Sequence, residues 1–119
     1  MRPRTLWTVV VGAVPWAIAC GSSVPPPHDQ WAEAEANLGR AQMAGAPDVP
    51  MAKLHMRLAQ EDLQKAKELM DQDNKRAASL SALANSEAQL ALSLAKAASS
   101  QDEARKAEFE LQYPNTSTK

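Results

Sequence analysis

The sequence predicts an all-α fold, a small three-helix bundle with a long C-terminal helix projecting beyond it. Three observations carry this. Between His28 and Tyr113 the only β-branched residue is Val49, and a pleated surface needs such residues to cover it. Residues 20–119 hold 20 alanines, which dominate the stretch together with Leu, Glu, Lys, Gln, Met and Arg. These side chains lose little freedom on winding. Two clusters of turn formers, Gly45-Ala46-Pro47-Asp48 and Asp71-Gln72-Asp73-Asn74, divide the body into three.

Residues 1–19 read as an export signal. Arg2 and Arg4 give a positive start, and a short apolar run extends from Leu6 to Val14. A bilayer core of ~30 Å takes about 20 apolar residues to span, more than this run supplies. Residues 20–28 contain Pro25-Pro26-Pro27, which favours an extended spacer of about 3.1 Å per residue with no packing of its own.

The helical domain is expected over residues 29–112. Its first helix runs from about Gln30 to Ala44 with Asp29 as N-cap, and Trp31, Ala34, Leu38 and Ala41 share one stripe. Gly39 weakens it by about 1 kcal/mol relative to Ala. The second helix starts near Val49-Pro50 with Asp48 capping, and its apolar side carries Leu54, Leu58, Ala59, Leu63, Ala66, Leu69 and Met70. The third runs from about Lys75 to Gln112, without Gly or Pro, and Pro114 stops it.

At 1.5 Å per residue the third helix is roughly 57 Å long and the second roughly 33 Å. Leu80, Leu83, Leu90 and Leu94 form one stripe on the third helix. Beside it Ala77, Ser81, Ala84, Ala88, Ala91, Ala95 and Ala98 form a face of small residues. Small side chains let two backbones approach closely, so the second and third helices are expected to form a tight antiparallel hairpin. Beyond them the segment Gln101–Glu108 is mostly charged and should project into solvent. The first helix would lie across the hairpin and bury Trp31 and Leu38. The alternative places the first and second helices end to end along the third. Residues 113–119 read as a polar, frayed tail.

Charge and cysteine content narrow the function. Without Arg2 and Arg4 the chain keeps 11 basic and 14 acidic side chains, a formal charge of −3. That balance excludes a basic nucleic-acid binder as the default reading. A single cysteine, Cys20, excludes an internal disulfide framework and any multi-cysteine metal site.

Ala17-Ile18-Ala19-Cys20-Gly21 resembles the lipobox of bacterial lipoproteins. The resemblance implies diacylglycerol on the Cys20 thiol, cleavage before Cys20, and acylation of the new amino terminus. By the same analogy Gly21 implies release to the outer membrane, facing the periplasm. Several acyl chains at about 0.8 kcal/mol per buried CH2 hold a protein stably.

Further along, the run Leu54-x3-Leu58-Ala59-x3-Leu63-x2-Ala66, followed by Asp73-Asn74-Lys75-Arg76-Ala77, resembles the domain-of-unknown-function 4398 family of envelope proteins over about residues 28 to 100. The resemblance implies location and fold and transfers no functional residue. The same hairpin looks like one tetratricopeptide unit, whereas roughly three are needed to build a groove.

No catalytic constellation stands out. His28 and His55 have no partner at metal-ligand spacing, and they read as surface or boundary residues. Asp71, Asp73 and Asn74 resemble the opening of an EF-hand loop, but Arg76 and Ala82 occupy the places of its Gly and Glu. Turn and capping chemistry accounts for the cluster. Glu87 interrupts the third helix between Leu83 and Leu90 and reads as a solvated edge charge. Lys119 ends a helical chain much as the terminal lysine does in the major murein lipoprotein family. That resemblance implies a possible covalent link to peptidoglycan.

The expectation is a non-enzymatic envelope lipoprotein without cofactor, metal or evident small-molecule substrate. Its lipid anchor at Cys20 would hold it to a membrane. Its leucine stripe, Leu80, Leu83, Leu90 and Leu94, would meet an envelope protein. The alternative is a self-associating coil that links membrane to peptidoglycan.

Overall fold

A computed structural model describes residues 24–114, and they contain helices and no strand. Helix α1 spans His28–Met43. A 3-10 turn, Ala46–Asp48, leads into α2, Pro50–Leu69. Helix α3 spans Asn74–Gln112.

The boundaries follow from local chemistry, with two corrections. Pro27, not Asp29, is the N-cap of α1, and no side chain caps it. The proline ring restricts φ, and the Trp31 N–H already donates to the Pro27 carbonyl at 3.0 Å. Asp29 sits one step inside, where a carboxylate favours the positive end of the helix dipole. Gly45, at φ +86°, turns the chain out of α1 in the left-handed conformation that glycine adopts without strain. Asp48 lies within the 3-10 turn, and Val49 takes the N-cap of α2 in extended conformation ahead of Pro50. Between α2 and α3, the Asp73 carboxylate accepts the Arg76 N–H at 3.0 Å, a side-chain N-cap.

Helix α2 runs antiparallel to α3, and α1 folds back antiparallel to α2 to lie against α3 as well. The ends of the helices fix this. Early in α1, the Trp31 indole Nε1–H donates to the Leu63 carbonyl, late in α2, at 3.1 Å. At the other end Ala41 clusters with Ala52 and Met56 of α2 and with Ala91 and Ala95 of α3. The end-to-end alternative is thereby excluded.

The core is built from alanine. Ala34, Ala41, Ala46, Ala52, Ala59, Ala66, Ala77, Ala84, Ala88 and Ala91 are fully buried, and among the described helix residues Met56 and Leu63 are the only larger apolar side chains in the buried set. The largest side chain that is wholly inaccessible is Ser81. As expected, the small-residue face of α3 meets its neighbours. Interaxial distances follow the side chains at the contact, and methyl groups allow the short end of the 8–10 Å range.

Close approach has a cost for the leucines. The inward stripe of α2 is Ala52, Met56, Ala59, Leu63 and Ala66, at spacings alternating between four and three. Leu54 and Leu58, expected in the core, are 46% and 36% exposed. Trp31 and Leu38 are half-buried at the edge of the α1 contact rather than covered.

The proline-rich segment is also corrected where it is described. Pro27 is buried, and the Val24 carbonyl accepts from Asn74 Nδ2 at 2.7 Å. Residues 24–27 are thus tied to the α2–α3 turn. Residues 20–23 lie outside the described part.

From Ser99 to Gln112 every residue of α3 is exposed. The inward register of α3 (Ala77, Ser81, Ala84, Ala88, Ala91, Ala95, Ala98) would continue through Asp102 and Arg105, which are charged and pair with each other. The bundle ends there because the sequence stops supplying methyl groups. The projecting 14 residues are about 21 Å long.

Candidate interaction face

The side of α2 and α3 turned away from α1 carries most of the exposed leucines. Leu83 and Leu90 are 48% and 42% exposed on α3, and Leu80 and Leu94 are half-buried beside them. On α2, Met51 and Leu58 share a strip with His55, and Leu54 stands next to them. All four members of the leucine stripe therefore fall on one face, flanking the alanine contact rather than entering it. What the leucine stripe alone does not reveal is that α2 contributes Met51, Leu54 and Leu58 to this face.

His55 and Glu87 occupy the middle of it. His55 Nδ1 and Glu87 Oε2 are 2.5 Å apart, and both side chains are largely shielded, at 18% and 22% exposure. This corrects the reading of Glu87 as a freely solvated edge charge. Helix α2 brings His55 to it across 32 residues of sequence, so no local pattern signals the pair. The bond links α2 to α3 and supplies a polar contact inside an otherwise apolar surface.

Two other polar arrangements lie elsewhere. Asn37, buried on α1, donates through Nδ2 to Asn85 Oδ1 on α3 at 2.7 Å, and its own Oδ1 accepts from Arg40 at 2.7 Å. Fully satisfied, this pair fixes α1 in register on α3. On the α1–α2 side, Lys67 Nζ stands 5.9 Å from the centroid of the Trp31 ring, within cation–π range.

In the α2–α3 turn, Asp73 caps α3, and Asn74 Oδ1 accepts the N–H of Asp71, whose φ is +70°. These are turn contacts, and they engage the Asp73 and Asn74 side chains and the Asp71 backbone, the residues that resemble an EF-hand start. Among the described residues no three His, Cys, Asp or Glu side chains converge as metal ligands. His28 lies at the exposed start of α1, far along the chain from His55. The lipobox residues Ala17, Ile18, Ala19 and Cys20, and Lys119 at the other end, lie outside the described residues. No described helix is long and apolar enough to cross a membrane.

The family model described as Domain of unknown function (DUF4398) matches residues 29–107. The chain belongs to the DUF4398 family. The DUF4398 match takes in all three helices and the nearer part of the projection, and so it includes the whole leucine face. No curated protein and no solved structure matches the chain.

Proposed function

We propose that this protein is an outer-membrane-anchored, periplasm-facing lipoprotein, acting as a non-enzymatic interaction or structural module of the cell envelope. The lipobox-like Ala17-Ile18-Ala19-Cys20 supports the anchor. The observation that carries the reading is the opposition of the two ends. The chain enters at the α2–α3 turn, where Asn74 holds the Val24 carbonyl. The bare end of α3 points out of the opposite end of the bundle. Along α3, 39 residues or about 58 Å separate the two. A body held near Cys20 therefore offers its free helix away from the point of attachment, and its leucine face along the side between the two ends. Enzymatic work would need titratable groups convergent in a pocket. Among the described residues the shielded pair His55 and Glu87 instead bridges two helices.

Fractionation of cells that express the wild type or Cys20→Ala tests the anchor. The wild type should sediment with the outer membrane and carry the added mass of acyl chains, and the variant should lose both properties. Recovery of the wild type from the soluble fraction, unmodified by mass spectrometry, would refute the reading.

A further inference from the structure

The leucine face does not stop where the bundle stops. Along α3 the residues Leu83, Ser86, Leu90, Ser93, Ala97, Ser100, Ala104, Ala107 and Leu111 follow one another at alternating spacings of three and four, and every one is exposed. None is charged, although charges crowd the projecting end on both sides: Asp102, Glu103, Arg105, Lys106, Glu108 and Glu110. A 3.5-residue period sustained over four heptads is the pattern of a helix that meets another helix. Two of the three serines do not spoil it. Ser86 Oγ donates to the Ala82 carbonyl at 3.1 Å and Ser93 Oγ to the Leu90 carbonyl at 2.8 Å. Their hydroxyls are satisfied within α3, so covering them leaves no stranded polar group.

We propose that this face is occupied by a second copy of the chain, its α3 antiparallel to the first, about a two-fold axis between positions 98 and 99. Three features select that occupant. The first is length: the projecting residues 99–112 match residues 85–98 of the other copy one for one, so each free end is covered by the other's body. The second is shape. In this register Leu90 meets Ala107 of the other copy, Leu111 meets Ser86, Ala104 meets Ser93 and Ala97 meets Ser100. Within the overlap both leucines, Leu90 and Leu111, thus face a small side chain. The third is charge. Lys96 comes beside Glu103 of the other copy, and the two-fold axis repeats the contact. The same register also sets Glu108 beside Glu87, a like-charge contact that the axis repeats and that offsets part of this gain; His55 bonds the Glu87 carboxylate there. A parallel pair would set Glu103 beside Glu108 at both symmetry-related places, with no Lys96–Glu103 contact to set against the repulsion.

The seam is about 45 Å long and one helix wide, with Met51 and Leu58 of α2 as an adjoining wall. A seam one helix wide falls at the lower end of specific interfaces, and so the dimer exchanges with monomer. In such a dimer the two N-terminal segments lie at opposite ends of one rod. The inference supplies a partner for the interaction module proposed above. It does not depend on acylation.

Sedimentation equilibrium of the full chain in density-matched detergent, over a hundredfold range of concentration, tests the proposal. The expected result is a mass that rises with concentration to twice the monomer. Leu90→Asp should hold the protein at monomer mass, and because Leu90 lies outside the core its far-UV circular dichroism should be unchanged. Lys96→Glu and Glu103→Lys should each weaken association by about tenfold, from two pairs at up to about 1 kcal/mol each turned repulsive. The double variant should restore it. A monomer at every concentration, or a dimer indifferent to all four variants, would overturn the proposal. A soluble but dimeric protein would refute the lipid anchor and leave the dimer standing.

Discussion

Ser81→Ala should make this protein more stable. Ser81 lies on the buried small-residue face of α3 and is itself fully buried, and its hydroxyl has no hydrogen-bond partner. A buried hydroxyl without a partner costs about 1–3 kcal/mol of desolvation, and its removal recovers that amount. Alanine adds a few tenths of a kcal/mol from helix propensity. Against this stands the void left by one oxygen, which forfeits a few contacts of about 0.1–0.2 kcal/mol each. The balance is a gain of about 1–2 kcal/mol, or roughly 4–8 °C in Tm for each kcal/mol in a domain this small. Urea titration followed at 222 nm measures it directly: the midpoint should rise at unchanged slope. Ser79→Ala is the control, since its exposed hydroxyl bonds only its own helix and should move stability by no more than about 0.5 kcal/mol. If Ser81→Ala leaves the midpoint unmoved or lowers it, the hydroxyl has a partner in solution and the alanine-face argument loses its sharpest member.

Two further substitutions probe the local chemistry. A Cβ added at Gly39 meets nothing within 4 Å, so Gly39→Ala should raise the urea midpoint by the equivalent of about 0.5–1 kcal/mol. Asp73→Ala removes the acceptor for the Arg76 N–H and should lower stability by about 1 kcal/mol, with Asp73→Ser retaining most of it.

The helices were legible because their ends are chemically loud. Gly45-Ala46-Pro47-Asp48 and Asp71-Gln72-Asp73-Asn74 cannot continue a helix, and no Gly or Pro interrupts α3. The exact caps of α1 and α2 were not, because Pro27 and Val49 take those places through backbone geometry alone. Asn37 was invisible for a different reason. A hydropathy pattern sends a lone asparagine outward, and only the arrival of Asn85 from 48 residues away makes its burial affordable. The same holds for Glu87 and His55, each an ordinary polar residue until the hairpin closes. The leucine stripe of α3 could be read from the sequence as lying beside the alanine face; Leu83 and Leu90 are its exposed pair, and Leu80 and Leu94 are half-buried. Its extension to Leu111 needed the knowledge that Ser86 and Ser93 satisfy their own hydroxyls.

The rule that misled most about packing was that the most hydrophobic side chains go inside. Leu54 and Leu58 outrank Ala52 and Ala59 by size, yet the alanines are buried and the leucines are not. The inversion follows from how this bundle gains its contacts. Two helices that touch through methyl groups bring their backbones near, and a leucine placed in that seam would force them apart. Leucines can then only flank the seam, half in contact with it. A bundle of this kind necessarily places its larger apolar side chains near its surface, and the apolar matter that a conventional core would hide remains available for another molecule. The exposed leucines are therefore a consequence of the close-packed interior, and an antiparallel second copy gives the same sequence a way to cover them.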